Sequence, residues 1–469
     1  MGSGCVTCGP DGCFDTQGER VTIIDTTLDV EERSIFTVND AQVAHSASAM
    51  ARDDGVSAET LATLRRDVLA HIEALHLPPK ESIDNTGYVS KDTIRASHSF
   101  QRIDNLRREQ RTLGHKWERL LHHFANGSDV QPDAIDPELV IVESDRETGD
   151  LFRLATLLWS VPVSRGFGRR IRYLVRDKSN GKLIGIFALG DPVFNLRARD
   201  EWIGWTVDDR RSRLVNIMDA YVVGAVPPYA QLLGGKLVAS LIGSAEVGET
   251  FAARYGASTG IISGQQKQAR LALVTVTSAL GRSSLYNRLK LDASTRDAPH
   301  PSALVDVKHI GTTQGYGHFQ LSDALFERLR ALLIQENHAY GNGHQFGQGP
   351  NWRLRVARVA LKRLDLHEDL LRHGIAREVY AMSLASNLHD FLRGRAATPL
   401  IDRPAARDIA AAALQRWVLP RAQRCPSYLS VRREQMLDPV RALQLPLPLA
   451  ATDEDVIDVR GVHGVDTDG

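Results

Sequence analysis

The sequence predicts a mixed α/β (α+β) protein, in which a central mixed sheet is flanked by helices, with one helical region ahead of it and another behind. Three observations carry this expectation. Residues 217–242, IMDAYVVGAVPPYAQLLGGKLVASLI, open as an apolar, β-branched strand, stop at Pro227-Pro228 and pass through Gly234-Gly235 into an apolar helix. The runs 169–176 and 182–189 flank Asn180-Gly181, a strong hairpin signal, and predict two antiparallel strands. Apolar residues at three- and four-residue steps, as in Leu61, Leu64, Val68 and Ile72 or in Leu325, Leu329 and Leu332, mark helices on either side.

A chain of 469 residues is long enough for two or three domains and a sizeable core. Lys plus Arg balance Asp plus Glu at 57 each, so no global field favours nucleic acid and any basic surface is local. The sequence has no apolar run of about 18 residues, and the start MGSGCVTCGPDGC has neither a basic region nor an apolar core. No membrane contact or secretion signal is expected, and the expected compartment is the cytoplasm.

Taken in order, residues 1–55 form a poorly ordered segment with a cysteine cluster, and residues 56–145 a helical, basic region. Residues 146–300 form the α/β core, 301–425 a mainly helical part, and 426–469 an acidic tail without order. Cys5, Cys8 and Cys13 supply three of the four ligands a zinc site needs, and Cys425 or His45 would have to be the fourth. Reduced thiols on a glycine-rich terminus are the other reading, so zinc is not expected. Ser57 caps a helix that ends at Pro78-Pro79, and a long basic helix is expected over 91–124. Its Arg107 and Arg108 suit a phosphate backbone, or equally a solvated face laced by pairs such as Asp104 with Arg108. DEWIGW at 200–205 is expected as a third short strand, 210–214 as a basic connector and 271–277 as a strand. Ser322 caps a helix over 322–336, and further helices are expected after Asn351, over 377–395 and over 403–418.

Candidate chemistry falls in four places. The turn of Gln231, Gly234, Gly235 and Lys236 sets glycine amides at a helix start, which makes an anion cradle or simply close strand–helix packing. After the strand at 271–277, Arg282 and Arg288 suit phosphates, Asn287 an amide or base edge, and Tyr286 a proton donor or stacking partner. The alternative is a capped loop whose hydroxyls satisfy their own backbone. His318 lies between glycines in GYGHF and is a candidate acid or base, or a locally bonded side chain. The glycine-rich segment 340–358 leads into a helix with Asn351, Arg353 and Arg355 at its start, the strongest polyanion candidate, with an amphipathic helix behind a connector as the other reading.

The strings DEWIGW, IMDAYVVGAVPPYAQLLGGKLVASL, FAARYG, LVTVTSALGRSSLYNRL, GYGHF, FGQGPNWRLR and HGIAREVYAMSLASN resemble the DruA family of bacterial proteins, found in Druantia anti-phage systems, over 151–395. The resemblance implies a part in phage defence beside other system proteins, a large helicase-like partner among them. The core is also similar to the GNAT acyltransferase fold, in which a Gln/Arg-x-x-Gly-x-Gly/Ala turn holds the coenzyme A pyrophosphate. Gln231, Gly234 and Lys236 fall on that pattern, and Lys236 departs from it by replacing the small residue that lets pyrophosphate approach the backbone.

Two functions are therefore expected. One is a defence component that binds DNA or RNA, with Arg107, Arg108, Arg353 and Arg355 on phosphates and Tyr286 or Trp352 stacking on bases. The other is an acyltransferase-like enzyme that uses the 231–236 turn for a coenzyme A-type cofactor.

Overall fold

The structure, a computed structural model, describes residues 7–9, 12–14, 56–75, 89–143, 146–164, 166–259, 266–292, 303–314, 321–341, 352–372 and 375–438. Near the N-terminus, β1 (Thr7–Gly9) and β2 (Gly12–Phe14) pair as a hairpin with Cys8 opposite Cys13. Cys5 lies outside the described residues. Helix α1 (Ala58–Leu75) starts as expected at Ser57, whose hydroxyl accepts from the Thr60 amide at 3.2 Å.

The single helix expected over 91–124 is instead a series: α2 (Lys91–Ser97), α3 (Ser99–Leu113) and α4 (Trp117–Leu120), joined and followed by 3₁₀ turns. The break falls at His98, a buried ring between Ile94 on α2 and Leu106 and Leu113 on α3.

Eight strands form one sheet among the described residues. They are β3 (Pro137–Ile141), β4 (Arg170–Asp177), β5 (Lys182–Gly190), β6 (Ile217–Ala225), β9 (Leu273–Thr277), β10 (Lys290–Asp292), β11 (Ala303–Thr313) and β12 (Arg377–Ser383). The remaining pair, β7 (Ala257–Thr259) and β8 (Gln266–Gln268), is a separate ribbon. In the order β10-β11-β12-β9-β6-β5-β4-β3, all neighbours are antiparallel except β6 and β9, which run parallel. The sheet thus crosses the boundaries expected at 145 and 300. β3 belongs to it, and so do β11 and β12 from the part expected to be mainly helical.

Two expected elements change type. DEWIGW lies in and just beyond a helix, α6 (Arg197–Ile203), which ends on Gly204 at φ 81°, and the basic connector is a second helix, α7 (Val207–Arg213). α7 starts with a capping box between Thr206 and Asp209. The reason lies in the charges. Fully buried Arg199 meets Asp200 at 2.6 Å and donates to the carbonyls of Val193 and Phe194 at 2.8 Å, while Arg210 reaches Asp200 from α7 at 2.8 Å. Alternating strand geometry would send Arg199 and Asp200 to opposite faces, whereas the helix lets one carboxylate serve both arginines. Residues 377–395, expected as one helix, are β12 followed by α12 (Leu388–Leu392). Because β12 lies between β9 and β11 and is covered on both faces, its sequence EVYAM carries no polar alternation to mark it as a strand.

Helices fill both faces of the sheet. One face, with Met218, Val274 and Met382, packs on α8 (Gly234–Leu241), α9 (Ala245–Tyr255) and α13 (Ala406–Ala413). The other receives α3, α4 and α5 (Arg146–Leu157) over β4 and β5, and α6 and α12 over Ile217, Leu273 and Ala381. A third core joins α1 to α10 (Asp323–Gln335) and α11 (Trp352–Arg363). No helix among the described residues is long and apolar enough to cross a membrane.

The Arg199–Asp200–Arg210 cluster gives the first prediction. Asp200→Ala leaves two buried guanidinium groups without their shared carboxylate, and urea unfolding is expected to show a loss of about 3–5 kcal/mol. A loss under about 1 kcal/mol, the range of exposed pairs, contradicts this account.

Candidate acid–base site

The turn expected to cradle an anion is closed by the protein itself. The Gly234 amide donates to the Tyr229 carbonyl at 2.9 Å, and Leu233, at φ 59°, directs its carbonyl to the Lys236 amide at 2.9 Å. A Cβ on Gly235 would stand 2.6 Å from the Leu285 side chain, so this glycine makes room for the loop after β9 and not for a ligand. The Lys236 ammonium donates to the carbonyls of Leu285 at 2.8 Å and Asn287 at 3.3 Å, and burial, aided by Arg416, lowers its pKa. The Gln231 carbonyl accepts from Arg421 at 3.2 Å. The positive end of α8 therefore grips protein carbonyls from the 285–287 segment.

The arginines expected on phosphates divide into two groups. On α11, Arg353 pairs with Asp323 at 2.6 Å, donates to the Leu321 carbonyl at 3.0 Å and covers the Phe326 ring at 4.2 Å. On α3, Arg108 meets the same Asp323 at 3.3 Å and also Asn105, while the Asp323 amide donates to Asp104 at 2.7 Å. Arg108 thus fastens the third core to α3, while Arg353 ties α11 to α10 within that core. Arg355 is half-buried, and Trp352 donates to the Tyr340 carbonyl at 3.0 Å with its ring edge-on to Phe326. Arg107 is exposed on α3, as are Arg282 and Arg288 on the loop after β9, with Asn287 half-buried between them. Asn351 and His318 lie outside the described residues.

What the fold does bring together surrounds Asp219 on β6. Parallel pairing with β9 covers Ile217 with Leu273, Met218 with Val274 and Asp219 with Thr275, and ends there. Asp219 thus stands where the two strands part. The Thr275 hydroxyl donates to its Oδ1 at 2.9 Å, and the other oxygen has no hydrogen bond among the described residues. The side chain keeps some accessible surface but is packed deep in the molecule, and this desolvation raises its pKa to about 6, against the smaller opposing effects of Thr275 and Arg199.

Tyr286 from the loop borders a small apolar cavity lined by Ala220, Val223, Val274, Val276 and Leu289, on the face of the sheet that carries Met218 and Val274, and the Asp219 charge reaches it from the strand. Burial, the charge of Asp219 and Tyr380 all raise its phenol, so it stays protonated through the physiological range. Its ring lies 5.4 Å from that of Tyr380 on β12. The Tyr380 hydroxyl makes a short bond to Glu378, whose Oε2 also accepts from the Ser283 amide at 3.2 Å. Further backbone bonds, Ser278 N to Glu378 O at 2.9 Å and Glu378 N to Gly281 O at 3.4 Å, pin the loop to β12. Arg282 lies close enough for its charge to counter the rise in the Tyr380 pKa.

A carboxyl with its pKa near 6 is half ionised at pH 6 and can take up or release a proton just below neutrality. Asp219 was visible in the sequence as the lone acid of an apolar strand, a signal of enforced burial. Glu378 and Tyr380 were hidden because their segment was expected to be helical. The raised pKa has a thermodynamic consequence. The folded state binds the Asp219 proton more tightly than the unfolded chain, so this contribution is present below pH 4 and is lost as pH rises through 6. Asp219→Asn removes the loss and is expected to stabilise the protein by about 2–3 kcal/mol at pH 8 but not at pH 4. Urea unfolding at the two pH values checks this, and an equal effect at both contradicts it.

Comparison with known proteins comes from sequence. The family model described as Druantia protein DruA matches residues 88–394. A protein named Druantia protein DruA, from Escherichia coli (strain UMEA 4076-1), is 46% identical over 390 residues, which cover 82% of this chain and 94% of the relative. No solved structure matches the chain.

Proposed function

The chain belongs to the DruA family of Druantia anti-phage defence components, and we propose that it acts there on nucleic acid, holding phosphates with Arg282 and Arg288 on the loop after β9. The observation that carries this reading is the loop itself. Arg282 and Arg288 are both exposed, and neither has an acidic partner among the described residues, in a protein where many surface arginines do. Arg288 is also held at φ 58°, a left-handed conformation that costs a non-glycine residue free energy and is kept where the surroundings impose it. The loop is anchored from inside by Glu378, Lys236 and Gly235, so its arginines are presented from a rigid base.

In this reading the arginines place the backbone, and Asn287 and Tyr286 meet what the backbone carries. Arg107 adds a further phosphate contact from α3, whereas Arg108 and Arg353 serve the fold. The protein works beside other proteins of the system, a large helicase-like partner among them.

The second reading, an acyltransferase-like enzyme with a coenzyme A-type cofactor, draws support from the strand order. Four antiparallel strands, β3 to β6, precede the parallel partner β9, and the sheet opens beyond Asp219. The engaged Gly234 amide and the occupied Lys236 ammonium weigh against the pyrophosphate site this reading needs.

Binding measured across salt separates the two. DNA or RNA affinity is expected to fall steeply with salt, and Arg282→Ala with Arg288→Ala to weaken binding across sequences and flatten the log–log slope by about 2, near one per phosphate contact. Coenzyme A is expected to leave the melting temperature unchanged, and a rise that saturates with ligand would favour the second reading. Unaltered nucleic-acid affinity in the double variant would sink the first.

A further inference from the structure

A cluster unconnected with the Asp219 site lies where α4 runs into the 3₁₀ turn Leu121–His123 and meets the first turn of α5. Consecutive residues His122 and His123 hold their rings 3.8 Å apart, tilted by 38°. The His123 side chain is buried, with Nε2 2.9 Å from Glu147 Oε1, while the His122 ring is exposed. One donor atom from each of the three residues fits within 4.8 Å of the others.

The hydrogen bonds prepare these donors. His122 Nδ1 lies against the Arg119 carbonyl, which only accepts, so this nitrogen carries the hydrogen and Nε2 keeps its lone pair. A carboxylate stands beside the two imidazoles, its side chain 58% exposed and so free to adjust. Two imidazole nitrogens and one carboxylate oxygen suit a borderline dication, unlike calcium or magnesium, which take oxygen ligands.

From this geometry we propose that His122, His123 and Glu147 bind a zinc ion through three protein donors, leaving a fourth position for water or a partner's group. The basic groups nearby, Arg176 and the Lys182 ammonium bonded to the His122 carbonyl at 2.6 Å, reduce the affinity without blocking the donors. The site owes nothing to Cys5, Cys8 and Cys13, the residues whose spacing first suggested a metal.

The test is zinc titration of the full-length protein by calorimetry, paired with cobalt(II) absorption. Glu147→Gln and His122→Asn change accessible groups and leave the core intact, and each is expected to weaken zinc binding by at least about tenfold. The cobalt protein is expected to show ligand-field bands without thiolate charge transfer. Unchanged affinity in both variants, a thiolate band, or no binding to the parent protein at submillimolar zinc overturns the proposal.

Discussion

Three parallel pairings join what would otherwise be two sheets. On one side β3 to β6 form an antiparallel set, on the other β9 to β12 form a second, and only Ile217 to Asp219 against Leu273 to Thr275 bind them together. Parallel pairing requires a crossover, and here α8 and α9 supply it, packed on the face that carries Met218 and Val274. The seam is short because Asp219 ends it. Beyond this residue β6 pairs only with β5, shifted by a bulge at Tyr221, and β9 follows β12. Asp219 stands at the point where the strands part, with the Thr275 hydroxyl as its hydrogen-bond partner among the described residues.

How much of this was legible depended on where each residue's partners lie. The β4–β5 hairpin, the strand β6 and the capped helices α1 and α10 were plain, because turn, period and cap are all local. Local signals failed where charge decided. Asp200 opens DEWIGW, expected as a short strand over 200–205, yet it lies in a helix where its carboxylate meets both Arg199 and Arg210. EVYAM in β12 lacked alternation because both faces of that strand are covered. Arg108 and Arg353 looked like phosphate ligands, but both find Asp323, distant from at least one of them in sequence and invisible to any window.

The glycine pair at 234–235 shows the same limit at the site itself. Glycines ahead of a helix were expected to make an anion cradle or to allow close strand–helix packing, and the sequence could not say which neighbour comes close. It is the protein's own loop, with Leu285 over Gly235 and the Lys236 ammonium on two of its carbonyls. A helix start that would otherwise attract an anion instead sets the height of the segment that carries Arg282 and Arg288. The expected cradle and the loop that carries Arg282 and Arg288 are thus neighbours, the first supporting the second.

The core built by α1, α10 and α11 shares no buried residue with the sheet, and its link to α3 runs through Asp104 and Arg108, which meet Asp323 together with Arg353. The fasteners that meet on Asp323 are partly exposed ion pairs, which individually add little to stability, so ion pairing alone holds the bundle to α3 only lightly.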